Sequence, residues 1–309
     1  MSSTPSNLKI ALWGVFWACT STSLGGTTVV FTRMVIEDTD PLSLTFVRYG
    51  GAALVLLGFM LARTRLPIFA RKDLIFLTLI GAIMFAAFPF FMATALEDTT
   101  AARGGLLFAT MPLITMSLAA LFQIERLTVL KVLAVLTAIA GTIVALGEDV
   151  GDIAPHALRG DLFMFLGMLC ASSFNVFSGK YLIRYGNLPV MIYTMFVGVS
   201  LLFILALAME NPFSGSLDFD LRGWTLVFLL TVPGGSLMMF AWGQALQRIT
   251  PTQAAITVGL NPVTAILLAA WLLTEPITIR VVIGFLLIFA AILLANYRRR
   301  NPTTVKLQA

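Results

Sequence analysis

One histidine, His156, and two cysteines, Cys19 and Cys170, are the whole imidazole and thiol inventory of this 309-residue chain. Both cysteines sit in apolar stretches with no histidine beside them, so neither a nucleophile–base pair nor a disulfide framework is implied. All fifteen acids fall within reach of the end of an apolar run. No carboxylate pair is therefore placed for acid–base work, and no cluster has metal-ligand spacing. Gly104-Gly105 and Gly234-Gly235 are not followed by Gly-Lys-Ser/Thr, which removes a phosphate loop. These residues predict no enzyme, no metal and no cofactor. The chemistry left is recognition by isolated polar heads in apolar surroundings.

Arg48 is the one formal charge read as lying at depth in the membrane, away from the ends of its apolar run. Counting from Pro41 at about 1.5 Å per residue sets its Cα roughly 10 Å below the outer surface of a membrane. A charge at depth costs at least about 3 kcal/mol on insertion scales, so something must compensate it. Two readings stand: a guanidinium that grips a substrate carboxylate, or a structural arginine bonded to helix carbonyls. Ser21, within Thr20-Ser21-Thr22-Ser23, is echoed by Ser172, Ser173, Asn175 and Ser178; small hydroxyls line a pathway or let helices pack closely. Asn175 stands out because a buried amide needs up to four partners. Asn261 precedes Pro262, which frees a carbonyl one turn back. Met111-Pro112 mirrors it, and Pro89 and Pro233 break their own runs. Trp17, Phe88 and Trp242 supply deep aromatic surface, with Trp13, Trp17 and Ser21 on one helical face at spacing four. The candidate substrate-binding set is Trp17, Ser21, Arg48, Phe88, Asn175, Trp242 and Asn261. Pro89, Pro112, Pro233 and Pro262 are the expected helix breaks or hinges.

The elements that carry these residues follow from composition. The chain is 59% hydrophobic and 11% charged, with a mean hydropathy of +0.94. A soluble domain carries about 25% charged residues, so most of this surface must face lipid. Ten apolar runs are bounded by charge or turn residues, at roughly 10–32, 42–62, 74–96, 100–122, 129–147, 160–183, 188–209, 222–246, 251–273 and 278–297. Ten spans with short connectors leave no room for a nucleotide-hydrolysing or soluble catalytic domain. With the N-terminus in the cytoplasm, inner loops collect fourteen Lys and Arg and outer loops five, which predicts both termini inside. The net charge of +5 thus reports topology rather than nucleic-acid binding. Trp13, Trp224, Trp271, Tyr181, Tyr185 and Tyr297 read as interfacial belt.

Sliding the chain against itself by 150 positions aligns Phe90 with Phe240, Ala95-Leu96 with Ala245-Leu246, Pro112 with Pro262, Glu125 with Glu275 and Thr128 with Thr278. Positions 90–145 carry fourteen such identities. Residues 1–150 and 151–309 are therefore read as two five-helix repeats. An odd number of spans per repeat makes equivalent segments run in opposite directions, an arrangement many secondary transporters use to alternate between two openings.

The chain resembles the drug/metabolite transporter superfamily in its ten-span, two-repeat EamA-type branch. The resemblance rests on Pro41-Leu42-Ser43-Leu44-Thr45-Phe46-Val47-Arg48, on Ala-Leu followed by a proline in each half, and on the Glu-x-x-Thr pairs at 125–128 and 275–278. It implies a multi-pass carrier in the cell inner (cytoplasmic) membrane, and within the branch it looks most like amino-acid and aromatic-amino-acid exporters. The expected function is export of a small amphipathic metabolite by a facilitator or exchanger, since no carboxylate sits mid-span to carry a proton. Two rivals remain. A phosphate-ester or nucleotide-sugar exchanger would need further deep cations beside Arg48, and a non-transporting membrane assembly protein would show no substrate-dependent change of state. Expected partners are the substrate and the lipid bilayer, with the chain a monomer or a homodimer. Small residues at Ala134, Ala138, Gly141 and Ala145, and at Gly284, Ala291 and Ala295, fit tight contacts within the bundle or across a dimer.

Overall fold

The computed structural model describes residues 5–35, 39, 41–63, 67–98, 107–146, 157–209, 217–272 and 278–297. Every regular element among them is helical. The first half holds α1 (Pro5–Val35), α2 (Pro41–Leu61), α3 (Arg71–Ala82), α4 (Phe88–Asp98), α5 (Met111–Leu121) and α6 (Val129–Leu146). The second holds α7 (Ala157–Tyr185), α8 (Asn187–Met209), α9 (Leu221–Thr231), α10 (Met238–Leu246), α11 (Pro251–Ile256), α12 (Leu260–Leu272) and α13 (Ile279–Asn296). A π-turn at Ile83–Ala87 joins α3 to α4, another at Val232–Leu237 joins α9 to α10, and a 3-10 turn at Thr257–Gly259 joins α11 to α12.

Seven helices among the described residues are long and apolar enough to cross a membrane, and α5 and α6 are shorter apolar helices. α1 has length to spare at 31 residues. Its hydropathy is diluted by Thr20-Ser21-Thr22-Ser23 and by Gly25-Gly26-Thr27-Thr28. Several of these hydroxyls are satisfied within the helix: Thr22 donates to the Ala18 carbonyl at 3.0 Å and Thr28 to the Gly25 carbonyl at 2.7 Å. Such back-bonding lets a polar segment enter lipid without orphan donors.

Packing joins the halves at every turn. α1 lies against α10 and α12, and α7 lies against α4 and α5. α2 packs on α8, α6 on α13, and α5 on α11. α2 also meets the π-turn Val232–Leu237, while α8 meets the π-turn Ile83–Ala87. Apart from α5 on α11, whose counterpart of α11 falls at 101–106 outside the described residues, exchanging the two halves maps these neighbours onto one another. At the α6–α13 contact the backbones approach closely: a Cβ on Gly141 would sit 2.9 Å from the Gly284 carbonyl, and one on Gly284 would sit 2.6 Å from the Gly141 carbonyl. The stripe of small residues is thus used inside the bundle, which settles where those contacts fall.

The outer surface is apolar. Ile283, Leu286, Phe289 and Leu293 on α13 are 45% to 58% exposed, at the three- and four-residue spacing of one helix face. In lipid such a ridge needs no cover. Trp13, Trp224, Trp271 and Tyr297 are exposed, as a belt requires. Tyr181 and Tyr185 are not part of it. Tyr181 is buried and stacks on Phe76 with centroids 5.2 Å apart, and the Tyr185 hydroxyl donates to Asp73 at 2.6 Å. Both lie on α7 and meet α3 of the first half through Phe76 and Asp73, so their rings are spent on packing between halves.

Candidate functional site

The face of α1 at spacing four organises the site. Trp17 meets Phe240 of α10 edge to face, with centroids 5.8 Å apart. One turn on, the Ser21 hydroxyl donates to the Met238 carbonyl at 2.8 Å and is buried. One further turn on, Gly25 faces the Asn261 side chain, where a Cβ would lie 3.0 Å from Oδ1. A Cβ on Gly26 would collide with Thr264 Oγ1 and the Asn261 carbonyl. α1 therefore lies in close contact with both α10 and α12 because it carries serine and glycine where they meet it.

On its far side α10 reaches α7. The Trp242 indole Nε1 donates to Asn175 Oδ1 at 2.9 Å, and both side chains are buried. Asn175 Nδ2 has no partner, and neither has the buried Ser178 hydroxyl one turn along. Asn187, at the start of α8, donates from Nδ2 to the Phe240 carbonyl at 2.7 Å while its Oδ1 stays unpaired. The result is a band of polar groups running from α1 across α10 to α7, bounded by Trp17, Phe240 and Trp242. Burial of an amide donor without a partner costs about 1–3 kcal/mol, and here two such groups lie within one turn of α7.

The remaining candidates are placed around this band. Thr115 on α5 donates to the Ser172 hydroxyl at 2.9 Å beside the Met111 carbonyl, so Pro112 opens a helix whose first turn is tied to α7. Phe88 is partly buried against the core and faces Gly167 of α7, with its Cδ2 3.7 Å from a Cβ built there. Gly167 is eight residues, about 12 Å of helix, from Asn175. Asn261 Oδ1 is unpaired and buried. Arg48 donates from Nη2 to the Gly234 carbonyl at 3.0 Å and packs on Tyr49, its Cζ 5.0 Å from the ring centroid. Nε has no partner. Gly234 lies eight residues before Trp242, again about 12 Å away along the helix.

All four prolines stand at or beside departures from α geometry. Pro233 is inside the π-turn Val232–Leu237, Pro89 follows the π-turn Ile83–Ala87, Pro112 lies at the first turn of α5, and Pro262 follows the 3-10 turn Thr257–Gly259. The two π-turns fall at positions related by the 150-residue offset. His156, Gly104, Gly105 and Glu275 lie outside the described residues.

Two polar links were not read as functional from sequence. Glu125 is buried, accepting the Thr252 backbone N–H at 2.8 Å on Oε1 and pairing with Lys131 Nζ at 2.6 Å on Oε2. It thus caps α11 of the other half, where the positive end of a helix favours a carboxylate. Asp73 accepts from Arg184 Nη1 at 2.8 Å and from the Tyr185 hydroxyl, tying the start of α3 to the end of α7. The signal for Glu125 was present in the repeated Glu-x-x-Thr, which marked the repeat without naming the partner. No group of three or more His, Cys, Asp or Glu among the described residues could hold a metal ion.

Apolar helices, a lipid-compatible surface and a buried polar band joining α1 of the first half to α10 and α7 of the second define a multi-pass helical membrane protein. The chain belongs to the EamA-like transporter family, which matches it twice, over residues 12–147 and 158–297. It is similar to the uncharacterized transporter YoaV of Bacillus subtilis, at 22% identity over 89% of this chain and 94% of that protein. It is also similar to the uncharacterized inner membrane transporter YedA of Escherichia coli, at 25% identity over 80% of this chain and 78% of that protein. A solved crystal structure shares the fold with a TM-score of 0.78, at 20% identity, covering 92% of this chain and 97% of that one.

Proposed function

We propose that this transporter exports small amphipathic metabolites, hydrophobic or aromatic amino acids above all, across the cytoplasmic membrane by alternating access as a facilitator or exchanger. The reading takes ten spans as two five-helix units of opposite orientation, with both termini cytoplasmic and the pathway between the units. The observation that carries it is the Asn175–Trp242 pair, buried between α7 and α10 with an amide donor and the Ser178 hydroxyl unmatched. A zwitterion with an apolar body would find polar heads there and aromatic walls at Trp17, Phe240 and Trp242. The reciprocal neighbours of the two halves support the exchange of open faces, because interchanging their conformations preserves the contacts of α1 with α10 and α12, of α2 with α8 and of α6 with α13. Arg48 is assigned to holding the Gly234 carbonyl rather than to the substrate. The inner-membrane name carried by YedA supports the placement in the membrane that encloses the cytoplasm.

The test is purified protein in liposomes preloaded with labelled phenylalanine, tryptophan or leucine. Efflux above protein-free vesicles is expected to saturate, to be accelerated by unlabelled substrate outside, and to proceed without an imposed pH gradient. Absence of amino-acid movement with folded protein would remove the substrate assignment, and strict dependence on a pH gradient would remove the facilitator.

A further inference from the structure

A cleft of ≈ 380 Å³ opens between the start of α1 and the end of α10, lined by Lys9, Ile10, Trp13, Trp17 and Arg248. It has two cations and no acid in its wall. Lys9, Trp13 and Trp17 share one face of α1 at spacing four, with the Trp13 and Trp17 rings 6.4 Å apart. The charge therefore stands at one end and the indoles below it, over about 12 Å of helix. Arg248 is anchored through Nη1 to the carbonyl and side-chain oxygen of Gln244, and no carboxylate lines the cleft beside it. α1 has no acidic residue in its first turn, so no first-turn carboxylate offsets the positive end of its dipole nearby.

We propose that this cleft holds the anionic headgroup of a membrane phospholipid, with the phosphate between Lys9 and Arg248 and the acyl chains along Ile10 and Trp13. The choice of lipid over a soluble anion follows from which side the cleft faces. Ile10 is 49% exposed and Trp13 48% exposed, on the outer surface of the bundle among Leu12 and Phe16, which are exposed as well. Only Trp17 is shared with the polar band. Basic pockets between helices at a membrane surface bind anionic headgroups, each nearby cation adding to the attraction. The inference needs only membrane embedding and stands apart from the transport reading.

Native mass spectrometry of the full chain, released from micelles containing phosphatidylglycerol or phosphatidylcholine of identical acyl chains, tests it. Retention of phosphatidylglycerol over phosphatidylcholine is expected. Lys9→Gln and Arg248→Gln should each weaken it about fivefold, while the double variant Lys9→Arg with Arg248→Lys keeps it. Lys72→Gln, an exposed cation on α3 and away from the cleft, should change nothing. Equal retention of both lipids, undiminished binding in Lys9→Gln with a wild-type melting temperature, or an equal loss in Lys72→Gln would overturn the proposal. Displacement of the lipid by millimolar inorganic phosphate or phenylalanine would also overturn it, by assigning the cleft to a soluble anion.

Discussion

Asn175 presents an amide where water does not reach, and the Trp242 indole satisfies one of its two polar ends. Removing the indole donor strands the other end too. Trp242→Phe is therefore expected to lower stability by about 1–3 kcal/mol, read as a lower melting temperature in detergent. Adding Asn175→Leu to that variant should restore most of the loss, because replacing both partners by apolar groups removes the unmet demand. Amino-acid efflux should stay lost in the double variant. Stability and transport parting in this way would separate a binding group from a packing group; transport recovering together with stability would mean the pair only packs. Glu125 offers a second contrast. Glu125→Gln keeps an acceptor for the Thr252 N–H and gives up the Lys131 ion pair, whereas Glu125→Ala gives up both and leaves a buried N–H unmet. The alanine variant should lose roughly 2 kcal/mol and the glutamine variant clearly less, measured by thermal unfolding.

At the scale of elements, the π-turn Val232–Leu237 depends on a donor from another helix, since Arg48 of α2 reaches the Gly234 carbonyl. Arg48→Gln is expected to cost about 1.5–3 kcal/mol of stability, the range for hydrogen bonds to charged groups. The KM of the surviving folded transporter should be unchanged. A large rise in KM with a normal melting temperature would return Arg48 to the substrate. Gly141→Leu should prevent folding, because its side chain would have to displace the backbone of α13 at Gly284. Much of this architecture was legible beforehand. Apart from the run at 100–122, whose start lies outside the described residues, apolar runs placed the helices to within a few residues. Each of the four candidate prolines sits at or near an irregular turn, since proline forces the loss of an α hydrogen bond. What stayed hidden was pairing. Hydropathy says that Asn175 and Trp242 are deep but not that they meet; nor does it say that Glu125 serves the other half, or that Tyr181 turns inward. Those facts depend on which helix faces lie together, a tertiary property that a one-dimensional pattern does not encode.

For the whole molecule, the main helix contacts pair off when the halves are exchanged, with α1 on α10 and α12 matched by α7 on α4 and α5. The two family matches follow the same division of the chain. A pair of units related in this way and inserted in opposite senses would have two closures of similar energy, and small differential contacts with substrate then shift the balance between them. Glu125 and Asp73 bridge the halves at loop ends, so on the proposed orientation both links fall on the cytoplasmic side. The claim under all of this is opposite orientation of the two units. It is tested most directly by replacing Cys19 and Cys170 and placing single cysteines at Arg126 and at Pro276, the equivalent position 150 residues on. These are then labelled in intact cells with a thiol reagent that does not cross the membrane. The account predicts labelling at 276 and protection at 126 until the cells are opened. Labelling of both positions, or of neither, from outside would contradict it.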